Sequence, residues 1–329
     1  MSFIMIIISH FVLQVNQTRG NWQFLFSLNF IFPLFRFTKT KKYAIINKVN
    51  TKLNFHQETI MLLSANANIR KIEKLKKLGY DAIDVGFTRV IYHDDPYPHE
   101  DILDTPDWEK NLDPYIAKAK EVGLRIATTH LPYRYDFTDT ASEKFEYCHE
   151  MAVRSLKASE YLGAEWAVMH VKSVDGTVEY AKRLFAESGV KNVGLAIENM
   201  CKLPVNELIE VVDILAAEGY KVGICLDIGH CHQNKFFDNN IPEVIGMMGK
   251  RIKMLHVHDN NRASDMHKAP YMGTVPWADV MKALKDAGYE GEFNLELQPE
   301  KVPDPVARES YERYSVEISR YLIGIFDKT

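Results

Sequence analysis

The sequence predicts an α/β protein, a (β/α)8 TIM barrel preceded by an extra N-terminal segment of uncertain order. Three observations predict it. From residue 60 to the end, strand and helix patterns alternate without a break, giving eight strand–helix units in about 270 residues, the size and count of such a barrel. A glycine closes a helix just before a strand at Gly79, Gly123, Gly163, Gly219 and Gly288. Apolar runs end repeatedly in a carboxylate or an imidazole, as in LRIATTH ending at His130, AEWAVMH at His170, VGLAIE at Glu198 and VGICLD at Asp227. Such groups are costly at the end of a buried strand unless paired or bound to a metal.

The elements follow in order. The first strand is expected over Ile60–Ala65, with a helix through Ile69–Leu78. Strand Asp81–Phe87 precedes a helix through Pro114–Val122, and strand Leu124–Thr129 precedes the long helix Ser142–Leu162. Strand Trp166–Val171 leads to helix Val178–Glu187, and strand Gly194–Asn199 to helix Val205–Ala217. Strand Val222–Ile228 leads to helix Pro242–Met248, strand Ile252–His258 to helix Trp277–Ala287, and strand Glu292–Leu297 to a final helix over Val306–Ile325. No glycine-rich phosphate loop follows the first strand, which argues against an open nucleotide-binding sheet.

Composition divides the chain into residues 1–59, an N-terminal extension, and 60–329, the barrel. Residues 1–60 hold one acidic residue, Glu58, against Arg19, Arg36, Lys39, Lys41, Lys42, Lys48 and Lys52. That segment is therefore +6, and the chain's net −4 leaves −10 for the rest. The extension is read in three ways: a targeting or membrane segment, an ordered extra element, or upstream sequence outside the functional protein. Met1–Leu13 is apolar but lacks a basic region ahead of it, and Trp22–Phe37 is interrupted by Asn29, Pro33 and Arg36. Unless the extension is an anchor, no membrane partner is expected. The acidic barrel is a poor surface for nucleic acid. The four cysteines, Cys148, Cys201, Cys225 and Cys231, form no C-x-x-C pair and suit a reduced, cytoplasmic setting.

In a barrel of this kind, chemistry sits at the C-terminal ends of the strands. There lie His130, His170, Glu198, Asp227, His230, His256, His258 and Glu296, with Asp265 and His267 in the loop after the seventh strand. Any one of them could cap a helix or satisfy a loop amide. As a set they read as a metal site. Glu198, Asp227, His256 and Glu296 offer mostly oxygen ligands, suited to one divalent ion: Mn²⁺, Mg²⁺, Co²⁺ or Zn²⁺. Such an ion would hold a vicinal carbonyl and hydroxyl and stabilise an enediolate, while Glu198 and Glu296 remove and return the proton. His256 and His258 share a face, so His258 could serve only to orient a neighbour. Trp277 and Tyr133 are candidate apolar walls or core.

At these residues, over about 60–328, the chain resembles the xylose isomerase-like TIM-barrel superfamily, in particular its sugar phosphate isomerase/epimerase group. The motifs are IEN around Glu198, LDIGH around Asp227 and His230, HVHDNN at 256–261 and NLELQP around Glu296. The resemblance implies a metal-dependent isomerase or epimerase of a small sugar, sugar phosphate or related keto-polyol. It implies Glu198, Asp227, His256 and Glu296 as metal ligands, Glu198 and Glu296 as acid and base, and His230 and Arg262 at the substrate. A homo-oligomer is compatible with it.

The same superfamily contains endonuclease IV, an apurinic-site nuclease with three zinc ions. Its nine ligand types can be matched to His130, His170, Glu198, Asp227, His230, His256, Asp265, His267 and Glu296, and HLPY at 130–133 also resembles that enzyme. Against it stand the barrel's charge, the acidic run YHDDPYPHEDILD at 92–104, and SDMHKAPYMGT at 264–274 where that enzyme carries a different loop. A third reading is an inactive barrel that acts as a binding protein. The two glutamates argue against it.

Overall fold

The computed structural model describes residues 3–8, 11–18, 21–28, 61–87, 102–133, 140–171, 173–201, 203–233 and 240–328. The chain forms two compact units, Met1–Glu58 and Thr59–Thr329. In the first, β1 (Phe3–Ile8), β2 (Phe11–Thr18) and β3 (Asn21–Leu28) make a three-stranded antiparallel sheet. Ile60 and most of the acidic run at 92–104 lie outside the described residues.

The second unit is the barrel. Its strands are β4 (Leu63–Asn66), β5 (Ala82–Gly86), β6 (Arg125–His130), β7 (Trp166–Met169), β8 (Gly194–Glu198), β9 (Val222–Asp227), β10 (Ile252–His256) and β11 (Phe293–Leu295). They pair in parallel in the order β10-β9-β8-β7-β6-β5-β4-β11. A parallel bridge between Val257 and Leu295 joins the two ends. The Val257 N–H donates to Asn294 O at 2.8 Å and the Glu296 N–H to Val257 O at 3.1 Å, closing the ring.

The helices are α1 (Ile72–Leu78), α2 (Trp108–Val122), α3 (Phe145–Tyr161), α4 (Thr177–Ser188), α5 (Val205–Ala217), α6 (Ile228–Gln233), α7 (Ile241–Met248), α8 (Trp277–Asp286) and α9 (Pro305–Lys328). Helix α1 ends at Gly79, whose φ of 100° only glycine adopts cheaply, with its N–H on Leu75 O and Lys76 O. Helix α2 starts six residues before the expected Pro114. Proline inside a helix forfeits one backbone bond, commonly about 3 kcal/mol. The turn ahead of it is tied down instead by Asn111, whose Nδ2 donates to Ile102 O and Thr105 Oγ1, each at 3.0 Å. Helix α6 was not anticipated. It begins on the residue after β9 and turns His230 back toward the strand ends.

Period two places alternate strand residues inside the barrel. One half of the interior is polar: Ser64 Oγ donates to Asn294 Oδ1 at 3.0 Å, and Thr128 Oγ1 to Asp84 Oδ1 at 2.9 Å. The other half is an apolar cluster of Trp166, Val168, Ala196, Cys225 and Met254. On six of the eight strands the next inward position is a candidate ligand. Thr128 is followed by His130, Val168 by His170, Ala196 by Glu198, Cys225 by Asp227, Met254 by His256 and Asn294 by Glu296. A packed floor thus carries a layer of donors.

Candidate metal centre

Glu198 is the hub of that layer. It is fully buried. Its Oε2 lies 2.7 Å from His170 Nε2, 3.3 Å from His256 Nδ1 and 3.6 Å from His130 Nε2. Its Oε1 lies 3.0 Å from His230 Nδ1. Even so, both Glu198 oxygens, His230 Nδ1 and His256 Nδ1 are buried without an aligned hydrogen bond. Short separations without alignment mean that the lone pairs point at common space rather than at one another. Buried polar atoms are rarely left so, and donors around an ion have this geometry.

The rest of the set gathers around the hub. Glu296 Oε2 stands 3.3 Å from His256 Nδ1, and Asp227 Oδ2 stands 4.0 Å from it. Among the described residues five groups of donors lie close enough to share an ion: His130, His170 and Glu198; Glu198, Cys225 and His256; Asp227, His230 and His258; His258, His267 and Glu296; Asp227, His256 and Glu296. Asp265 adds a further edge, with Oδ2 at 3.0 Å from His267 Nε2 and 3.7 Å from His230 Nε2. The structure therefore brings nine of the ten expected site residues together. Arg262 is exposed on the loop after β10, with a φ of 70°, outside these donor groups.

Neighbours set the orientation of these candidate ligands. The His130 Nδ1–H donates to Leu131 O at 2.7 Å, which turns Nε2 toward Glu198. The His267 Nδ1–H donates to Glu296 O at 2.8 Å. Asn199 brackets Asp227, its Nδ2 donating to Asp227 O at 3.0 Å and its Oδ1 accepting the Asp227 N–H at 2.7 Å. His258 Nε2 sits 3.1 Å from Asp227 Oδ1 and 3.5 Å from Asp265 Oδ1, a positioning place between two carboxylates. Asp259 anchors the loop that carries Asp265 and His267: Trp277 Nε1 donates to its Oδ2 at 2.9 Å, and the Val275 N–H to its Oδ1 at 3.1 Å. Trp277 is thus core rather than a substrate wall. Tyr133 does face the centre, its ring 5.0 Å from that of His170 and 5.5 Å from that of His130.

Asn199, Cys225 and Asp259 carry roles that reading the sequence did not assign. The IEN motif held the signal for Asn199. Period two held it for Cys225, which lies under Asp227 close enough to Glu198 and His256 to share an ion with them. Nothing local distinguishes Asp259 from a ligand.

Glycine in LDIGH has a steric cause. A Cβ on Gly229 would lie 1.8 Å from His258 Cε1. Gly229→Ala is expected to destabilise the barrel by ~1–3 kcal/mol through overpacking and to weaken metal retention. Thermal unfolding with and without Mn²⁺ checks this; an unchanged midpoint in both would count against it.

Electrostatics follow from burial and pairing. Burial alone would raise the Glu198 carboxyl, but the nearby rings of His170, His256 and His130 hold it well below its usual range. Burial likewise opposes the charge on Asp227, yet His230 and His258 bring it down to about 2. Burial keeps His170 below its ordinary value. It acts the same way on His256, but Cys225, Glu296 and Glu198 outweigh it and push that ring well up. His267 rises to about 9 against its own burial, through the hydrogen bond to Asp265 and the charge of Glu296.

The signs give a pH window for the metal-free chain. The lowered Asp227 stabilises the fold above its ordinary 3.8, and that contribution is lost as pH falls through about 2. The raised His267 stabilises below its ordinary 6.5, and that contribution is lost as pH rises through about 9. A metal needs neutral imidazoles, so its contribution grows as pH rises. In a chelator, the unfolding midpoint should fall between roughly pH 6.5 and 9; with Mn²⁺ the fall should be reduced or reversed. Parallel curves with and without metal would contradict the placement of an ion here.

A family model described as a xylose isomerase-like TIM barrel matches residues 72–316. The chain belongs to that family. A fructoselysine 3-epimerase from Escherichia coli O157:H7 is 35% identical over 69 residues, 20% of this chain and 25% of that protein. A probable endonuclease 4 from Mesomycoplasma hyopneumoniae is 27% identical over 160 residues, 43% of this chain and 56% of that protein. Both matches span less than two thirds of the relative's own length. Among solved structures, a D-tagatose 3-epimerase-like protein aligns with a TM-score of 0.62 at 17% identity, over 82% of this chain and 99% of that one. At that identity the likeness concerns the fold. Among the described residues no helix is long and apolar enough to cross a membrane.

Proposed function

We propose that the barrel, residues 60–329, is a metal-dependent isomerase or epimerase of a small sugar, sugar phosphate or keto-polyol. The observation that carries this reading is the opposition of two unlike glutamates. Glu198 on β8 is buried at the bottom of the site, while the Glu296 side chain, from the end of β11, is 32% exposed, and both approach the same His256 nitrogen at 3.3 Å. The epimerase names among the relatives and neighbours support the substrate class.

The donors fit a divalent ion, on the evidence of the buried, unaligned oxygens and ring nitrogens. Glu198, Asp227, His256 and Glu296 would hold it. When bound, it would polarise a ketose carbonyl and its neighbouring hydroxyl. The chain's own work is the proton. In this reading Glu296, open to the cavity, would take the proton beside the carbonyl, and Glu198 would return it from the other side. His230, Arg262, Asp265 and His267 would contact the sugar's oxygens, and Tyr133 would cover one face of it.

A second reading is favoured by one observation: His130, His170, His230, Asp265 and His267 also converge, enough for three ions as in an endonuclease IV-like site. Metal analysis of the purified protein separates the two. One ion per chain, with ketose turnover on adding Mn²⁺ or Co²⁺, supports the epimerase. Three retained zinc ions with cleavage of abasic DNA overturn it. Turnover of any ketose also excludes an inert binding barrel.

A further inference from the structure

A cavity of about 340 Å³ opens beside His130, Tyr133, His267 and Glu296. From there it runs outward between the strands β4 and β11 and the helices α1 and α9. Its volume falls within the range of small-molecule sites. Ala65, Leu75, Leu78 and Leu295 give it apolar walls, and Lys74, Gln298 and Glu312 line it as well. Two buried acceptors there, Gln298 Oε1 and Glu312 Oε2, lack a hydrogen-bond partner. Lys74 Nζ takes the other Glu312 oxygen at 2.6 Å, which joins α1 to α9 and leaves Oε2 over. A buried acceptor left unpaired is costly. The proton exchange at Glu198 and Glu296 calls on neither group.

Apolar walls together with two unpartnered acceptors suit a short apolar stem that ends in N–H or O–H donors. We propose that this cavity is a second subsite, which receives a donor-bearing substituent on the sugar: an amine-ended chain or a second sugar ring. The substrate is then a substituted ketose rather than a free one. This inference rests on the sugar-epimerase reading, and it adds the part of the substrate that lies away from the reacting carbons. Glu312 and Gln298 are specificity residues in this account and take no part in the proton transfer.

Three probes test it on the full chain with Mn²⁺: fructose, fructose bearing a short alkyl chain that ends in an ammonium, and a disaccharide in which fructose carries a second hexose. Affinity is read by calorimetry and turnover by initial rates. At least one substituted probe should bind at least tenfold more tightly than fructose. That advantage should vanish in Glu312→Gln and in Ser315→Leu, which narrows the cavity without touching the Lys74 pair, while fructose behaves as in the parent protein. Preference for the ammonium probe identifies an amine, and preference for the disaccharide a sugar. Equal binding of all three, or an advantage that survives both substitutions, overturns the subsite and leaves the cavity to water. Selective binding without turnover of any probe would keep the subsite and remove the epimerase reading.

Discussion

Glu198→Gln is expected to strip the centre of its divalent ion and to lower kcat/KM by at least ~10³-fold. The substitution keeps shape and volume, so the barrel should fold. It removes the one charge that His130, His170, His230 and His256 all approach within 3.6 Å. A loss of general acid–base action alone is worth about 10²–10⁴-fold, and loss of the ion removes the polarisation of the carbonyl as well. Metal content by elemental analysis and initial rates on the best ketose check the two effects separately. Unchanged metal content and turnover would show that the hub has been placed on the wrong residue.

Glu296→Gln should divide differently. Glu296 is a third exposed where Glu198 is buried, and its closest imidazole contacts are His256 at 3.3 Å and His267 at 3.9 Å. Its loss should weaken the ion by roughly 10–100-fold, the scale seen when a metal's supporting groups are altered. At saturating metal, kcat should still fall by ~10²–10⁴-fold because the proton acceptor is gone. KM for the sugar should change much less. If saturating Mn²⁺ restored kcat to within a few-fold, Glu296 would be a ligand only, and the base would have to be sought elsewhere.

The two substitutions separate the parts of the site that the sequence made legible from those it hid. The strand-end donors close period-two runs, and on β7 to β10 the preceding inward residue is small or apolar, as Ala196 before Glu198 and Met254 before His256. That pattern is local, so it can be read without a structure. Helix α5 at Val205–Ala217 matches expectation at both ends, because Pro204 and Gly219 bound a clean apolar stripe. Helix α6 was hidden because IGHCHQ carries two histidines and no helical stripe; its first turn is held from the strand end, where the His230 N–H donates to Asp227 Oδ1 at 2.6 Å. The tie between Trp277 and Asp259 spans eighteen residues of loop and leaves no periodic trace. The three N-terminal strands go beyond the sequence reading, which leaves the extension as a targeting segment, an ordered extra element or upstream sequence and assigns it no strands.

Strain marks the same region. Among the described residues, the non-glycine positions with positive φ are Arg262, His267 and Tyr271, all on the loop after β10. Such conformations cost about 1–3 kcal/mol each and persist where the surroundings impose them. Here Asp259 and Trp277 hold the base of the loop, and His267 is held by Glu296 O. The loop is therefore a shaped part of the site.

The most direct test of the central claim is proton exchange in heavy water. The purified protein, loaded with Mn²⁺ or Co²⁺, would be incubated in D₂O with a panel of free and substituted ketoses. Nuclear magnetic resonance would follow the hydrogen beside the carbonyl. Exchange at that single carbon, together with its epimer or aldose product, and loss of both in Glu198→Gln and Glu296→Gln, is the predicted result. A fully metal-loaded protein that exchanges no such hydrogen on any ketose, and instead cleaves abasic DNA, would contradict it.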